Sequence, residues 1–321
     1  MNKKILKKLI IIFIIFIGFF VIIKIIDLLL MKITGLGKPI IYKYSPIYGY
    51  EHNPNQIINR KNNIIKINES GMRSNYNWKD NIADYKILFI GDSVTYGGSI
   101  ISNSDSFSEK TCKKLETLNK KKYICGNLAV NGYGIESINR RIKYKKFNDE
   151  DIIVIVLIAN DIQRGIIHLG TQPYWDNEIN SFYPALTELS MFYIDKFRIK
   201  LRYKNINSEL DSYSKKNNAN KEILSQYYND IIKELKLTLI NNNKKFIIVY
   251  SPEREEFTKK IKYLEIKKII EKNFPEYIDL SKYTGSIQDK IYYDGIHLNK
   301  FGHEIYTDII YKILGDYLKK I

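Results

Sequence analysis

The sequence predicts an α/β fold, a parallel sheet covered on both faces by helices, with one transmembrane helix ahead of it. Three observations carry that prediction. Short apolar runs rich in β-branched residues alternate with segments of helical spacing. The clearest run, "DIIVIVLIAN" from Asp151 to Asn160, is apolar almost without interruption, as a strand buried on both faces requires. The chain opens with a long apolar segment behind a cluster of lysines. Strands alternating with helices imply parallel pairing through crossover connections.

The opening segment comes first in chain order. Lys3, Lys4, Lys7 and Lys8 precede an uncharged run from Leu9 to Ile23. That run is short for a span of about 20 residues. Lys24 at its end extends it if the ammonium snorkels to the interface. No Ala-x-Ala-like site follows, which favours an uncleaved anchor over a signal peptide. The leading lysines place the N-terminus in the cytoplasm and the rest of the chain outside. The expected organisation is a cytoplasmic tip and anchor over residues 1–31, a juxtamembrane arm over 32–84 and a catalytic-type domain over 85–321. The arm is polar, rich in Asn and Tyr and poor in Gly and Ser, so it should pack on the domain.

Within the domain, Tyr85–Ile90, Tyr123–Val130, Asp151–Asn160, Phe246–Pro252 and Tyr277–Ser281 read as five strands. Ile135, Ile138 and Ile142 recur at helical spacing, as do Leu224, Tyr228, Ile231 and Leu235. Phe301, Ile305, Ile309 and Ile313 are expected to form one stripe of an amphipathic last helix. Residues from about 162 to 220 interrupt the alternation. Their aromatics, Tyr174, Trp175, Phe182, Tyr183, Phe192 and Tyr193, fit either a rim beside the site or an extra helical pair with its own core.

Bulk properties narrow the function. Apolar residues make up 45% of the 321, which is globular rather than disordered composition. The net charge of +16 comes from scattered lysines with no nucleic-acid motif, so nucleic acid is not an expected partner. Cys112 and Cys125 lack metal-ligand spacing. They are expected as buried free thiols, with one bridge between neighbouring elements as the alternative outside the cytoplasm. "GYGIES" lacks the third glycine of a dinucleotide loop. His303-Glu304 lacks the second histidine of a zinc helix. No metal or organic cofactor is expected.

Ligands of a parallel sheet bind beyond the carboxyl ends of its strands. "ILFIGDSVTYGG" places Ser93 at such an end, although Thr95 stands where a lipase elbow would have its second glycine. A serine needs a base, and the base an orienting group. In "YYDGIHLNKFGHEIY", Asp294 lies three residues before His297, a spacing that lets one turn present both. The other histidines fit less well: His52 is in the arm, His168 in the insertion and His303 inside the last helix. A developing oxyanion needs donors. The Gly132 N–H in "NLAVNGYG" and the Asn160 amide in "IAND" leave neighbouring strands at the same edge.

In that order, "GDS", "NGYG", "AND" and "DGIH" resemble the four blocks of the SGNH, or GDSL-like, hydrolases. The resemblance covers roughly residues 85 to 315, and "YGYEHNPNQ" with "INESGMR" resembles the leader of membrane-associated members. It implies a three-layer α/β/α, flavodoxin-like fold. It also implies Ser93 as nucleophile, His297 as base, Asp294 as its partner, and an oxyanion hole from Ser93, Gly132 and Asn160. The third block is commonly Gly-x-Asn-Asp, and Ile158 replaces its glycine here, which bears on loop shape. Asp161 is expected to hold that loop by hydrogen bonds. The expected activity is hydrolysis of O-acyl, mainly O-acetyl, esters of cell-surface glycans, with a lipid ester as the next substrate. Two alternatives stand beside it: acyl transfer to a glycan hydroxyl through the same serine, and an inactive binding or assembly component.

Overall fold

The computed structural model describes residues 3–319 except 81, 146–148, 167–174, 215–219, 259–262, 285–286 and 288–289. Helix α1 (Lys3–Thr34) is followed by two antiparallel hairpins, β1 (Tyr42–Ser45) with β2 (Gly49–His52) and β3 (Gln56–Arg60) with β4 (Asn63–Ile67). Then come β5 (Tyr85–Ile90), α2 (Ser93–Tyr96), α3 (Phe107–Asn119), β6 (Tyr123–Asn127), α4 (Ile135–Tyr144), β7 (Ile152–Leu157) and α5 (Ala159–Gln163). The chain continues through α6 (Pro184–Ser214), α7 (Asn220–Asn241), β8 (Phe246–Tyr250), α8 (Arg254–Thr258), α9 (Leu264–Asn273), β9 (Ile278–Asp279) and α10 (Lys300–Leu318).

All five expected domain strands form one parallel sheet in the order β6-β5-β7-β8-β9. This is the doubly wound 2-1-3-4-5 order of a flavodoxin-like three-layer fold. The faces separate by residue parity, because successive side chains point to opposite sides. Leu88, Ile90, Ile153, Ile155 and Leu157 pack with α4, α7 and α9. Ile87, Phe89, Ile152, Val154 and Val156 pack with α3 and α10. The order reverses beside β5, so its carboxyl end faces a crevice between β6 and β7.

The arm forms both hairpins and buries Tyr42, Tyr50, His52, Ile65, Met72 and Arg73 in the protein. Lys61 and Asn62, both at positive φ, make the tight turn of the second hairpin. Two expectations need correction, for the last helix and for the cysteines. The buried face of α10 is Gly302, His303, Tyr306, Thr307, Ile310 and Leu314, whereas Phe301 is 41% exposed and Ile305, Ile309 and Ile313 lie on the flank. The reason is polar burial. His303 accepts the Phe107 N–H at 3.2 Å, and Tyr306 shares a 2.8 Å hydrogen bond with Ser251, so apolarity alone misses the centre of the buried face, while Ile305, Ile309 and Ile313 still pack against the core. Cys112 and Cys125 are bridged and tie α3 to β6. Lys24, at the end of the uncharged run, has protein partners. It donates to the Phe182 carbonyl, lies 4.5 Å from the Phe182 ring and sits 3.6 Å from Asp27.

Helix α1 is 32 residues long, apolar enough to cross a membrane, and its 18-residue apolar window is not buried in the protein. Its final third meets the start of α6, where buried Asp27 accepts the Leu186 N–H at 3.0 Å. In the insertion, Phe182 and Tyr193 are 70% and 62% exposed, which rules out a shared core for these two rings. Trp175 instead pairs its backbone with Ile41 and Tyr42. Tyr174 and His168 lie outside the described residues.

Candidate active site

The site begins at the end of β5. Gly91 is required there: a Cβ would meet Thr95 Oγ1 at 2.4 Å and the Val156 carbonyl at 2.6 Å. Asp92 caps α2, accepting the Val94 N–H at 2.9 Å. The turn so formed leaves Ser93 half-buried at the crevice, with its neighbours Asp92 and Val94 buried.

The loop before α10 crosses to meet it. His297 Nε2 lies 2.8 Å from Ser93 Oγ, and His297 Nδ1 lies 2.7 Å from Asp294 Oδ2. The other Asp294 oxygen accepts the Ile296 and His297 N–H groups at 2.9 and 2.8 Å. Partial burial opposes the Asp294 charge, but these N–H donors and the imidazole outweigh it and hold the carboxyl below its usual range. A carboxylate on Nδ1 fixes the tautomer with hydrogen on that nitrogen, leaving Nε2 to accept the serine proton. Asp92 Oδ2 is a weaker acceptor for the same hydroxyl, at 3.4 Å.

The flanking strands carry the two residues expected as donors. Gly132 follows β6 in the left-handed region at φ 77°, where a side chain would be strained. The end of β6 is tied to that of β5 by the Val130 N–H, which donates to the Gly91 carbonyl at 3.2 Å. Asn160 lies in the first turn of α5 after β7, rather than at the end of a longer strand. Ile158 is buried and extended at φ −104°, a conformation any residue adopts, so the missing glycine costs the loop nothing. Asp161 accepts the Ile158 N–H at 3.0 Å, the loop-holding bond expected of it.

Beneath the serine lies a feature that sequence reading did not anticipate. Asp92 and Asp161 are both buried, with Arg164 Nη1 at 3.9 and 3.5 Å. Burial, and then the neighbouring Asp92 charge, push the Asp161 carboxyl well above its usual range. The arm is a second unanticipated contributor. Arg73, fully buried, donates to the carbonyls of Tyr96, Gly98 and Ile101 at 2.7, 2.6 and 2.6 Å. It thereby closes the carboxyl end of α2. His52 stacks on Tyr96 at 4.8 Å. Tyr50 donates to the Asn131 carbonyl and accepts at its own carbonyl from Tyr133, bracketing Gly132.

Residues 87–310 match the family model for the GDSL-like lipase/acylhydrolases. The chain belongs to this family. As a GDSL-like acylhydrolase it is a serine ester hydrolase with an α/β/α fold. None of the curated proteins matches it in sequence. Solved structures similar to it include a psychrotrophic esterase from Pseudoalteromonas sp., at 12% identity and a TM-score of 0.44, covering 74% of this chain and 100% of that one. A lipase/acylhydrolase from Enterococcus faecalis matches at 13% identity and a TM-score of 0.44, over 72% and 95% of the two chains. An acetylxylan esterase from Geobacillus stearothermophilus matches at 11% identity and a TM-score of 0.42, over 72% and 94%.

Proposed function

We propose that this acylhydrolase is anchored by α1, works outside the cytoplasm and removes acyl groups, chiefly acetyl, from O-acylated cell-surface glycans. The observation that carries the chemistry is the unbroken relay from Asp294 through His297 to Ser93, with contacts of 2.7 and 2.8 Å. Ser93 Oγ attacks the ester carbonyl carbon as its proton passes to His297 Nε2. The oxyanion is met by the Ser93 and Gly132 N–H groups and the Asn160 amide. The carbonyl–oxygen bond to the sugar breaks, and His297 returns the proton to the leaving hydroxyl. Water, deprotonated by His297, then cleaves the acyl-serine. The glycan assignment rests on α1, which would hold the site at a membrane surface, and on the family resemblance.

The test uses the full chain in detergent with a short p-nitrophenyl ester. Ser93→Ala and His297→Ala should each lose at least a thousandfold in kcat, because the members of a triad act as a unit. Activity that survives Ser93→Ala would overturn the nucleophile assignment. With an O-acetylated glycan, free acetate is the expected product. Acetyl appearing on a second sugar hydroxyl instead would make the chain a transferase.

A further inference from the structure

We infer that Glu253 is a positioning residue that aims the Asn160 amide at the oxyanion; this rests on the esterase reading above. Glu253 follows β8, is only 4% exposed, and carries no role in the relay. Its Oε1 accepts the Asn160 side-chain N–H at 2.9 Å and the Asn160 backbone N–H at 3.4 Å. Its Oε2 lies 3.4 Å from the Tyr263 hydroxyl.

The chemistry of the pair gives this contact its meaning. An asparagine amide presents either a donor or an acceptor depending on which way it is turned, and the two faces are sterically alike. A carboxylate only accepts, so Glu253 selects the orientation with Nδ2 towards itself. One Nδ2 hydrogen is then committed to Glu253, and the second remains for a ligand. Fixed donors are worth more to a transition state than donors that must reorient, because no reorganisation is needed during reaction. Burial raises the Glu253 pKa, and the Asn160 N–H opposes that rise. A neutral Glu253 still offers Asn160 a carbonyl oxygen.

The same short segment holds the other half of the site. The Ser251 N–H donates to Leu157 O at 2.8 Å, fixing the segment to the end of β7. The Pro252 carbonyl accepts the Tyr292 hydroxyl at 2.5 Å, and the Arg254 N–H donates to the Gly295 carbonyl at 2.9 Å. Residues 251–254 therefore join the loop of Asn160 to the loop of Asp294 and His297. Glu253 is the side chain of that segment which reaches Asn160.

The experiment is a double-mutant cycle on p-nitrophenyl ester hydrolysis, run beside Ser93→Ala with the full chain in detergent. Glu253→Met keeps the length and burial but lacks the carboxylate. It should lower kcat about 10- to 100-fold with KM changed less than about 2-fold, a smaller loss than removing an oxyanion donor outright. Glu253→Gln keeps an acceptor and should restore kcat to within about 3-fold of the parent. Asn160→Ala should lose about 100- to 1000-fold, and adding Glu253→Met to it should cost less than about 2-fold more. If the Met variant does not fold, Glu253→Asp, which keeps the charge but withdraws it from Asn160, takes its place with the same expectation. Equal kcat in the Met and Gln variants would overturn the inference. So would an equal loss from Glu253→Met with and without Asn160. Both results are read with Ser93→Ala inactive, which keeps them separate from failure of the esterase reading. An active Ser93→Ala would remove the oxyanion itself, and the inference with it.

Discussion

At the residue scale, the Asp92–Asp161 pair turns a local contact into a pH dependence. A carboxyl whose folded pKa is raised binds more protons folded than unfolded, so its contribution to stability falls as pH rises above the unfolded carboxyl range near pH 4. Asp161 is such a group, raised first by burial and then by Asp92. Asp161→Asn should keep the acceptor for the Ile158 N–H and add a permanent donor towards Asp92. Its melting temperature relative to the parent should therefore climb between about pH 5 and 8, while kcat stays within about 3-fold. Melting curves across that range decide it, and parallel pH profiles for the two proteins would contradict the raised Asp161 carboxyl. Glu109 gives an independent check of the same sign. Burial outweighs its hydrogen bond from the Asn75 N–H and raises it to about 7. Glu109→Gln should gain stability over the parent from about pH 4.5 and level off above pH 7, by about 3 kcal/mol.

At the scale of elements, the arm and the site form one mechanical unit. Arg73 satisfies three carbonyls after the turn that carries Ser93 and bonds Asn103 at 2.9 Å. A lysine has no planar fork and cannot reach these acceptors together. Arg73→Lys should therefore cost about 3 kcal/mol in stability, as expected when a buried charge loses its partners. It should also lower the rate at which a fluorophosphonate labels Ser93, since α2 loses its closure; unchanged labelling would separate the arm from the site. The five strands and the motifs at their ends were legible because buried parallel strands and glycine-marked turns are local signals. Ser93, His297 and Asp294 were legible for the same reason, and the structure brings them within hydrogen-bond distance. Arg73 and Glu253 were not, because a polar residue's burial depends on partners far away in the chain. The one visible hint for Glu253 was an acid just past a strand end, at the ligand-binding edge of the sheet. The last helix was misread for the related reason that His303, Tyr306 and Thr307 occupy its inner face.

At the scale of the whole molecule, compartment and covalent structure constrain each other. Four lysines at the start of α1, ahead of its uncharged run, favour a cytoplasmic N-terminus, and the proposed function puts everything after the span outside. Cys112 and Cys125, far along the chain, are bridged, and such bonds persist in oxidising surroundings. These two features are physically independent, since one concerns insertion and the other redox chemistry, and both support the proposed placement of the site outside. The bridge spans a sequence separation of 13, for which restricted loop entropy in the unfolded chain predicts about 3 kcal/mol. Cys112→Ala with Cys125→Ala should thus melt several degrees below the parent, and dithiothreitol should lower the melting temperature of the parent alone. In intact cells, a membrane-impermeant maleimide should label neither cysteine until a reductant and denaturant are added outside. Labelling that requires cell lysis would place the domain in the cytoplasm and remove the support for a surface-glycan substrate.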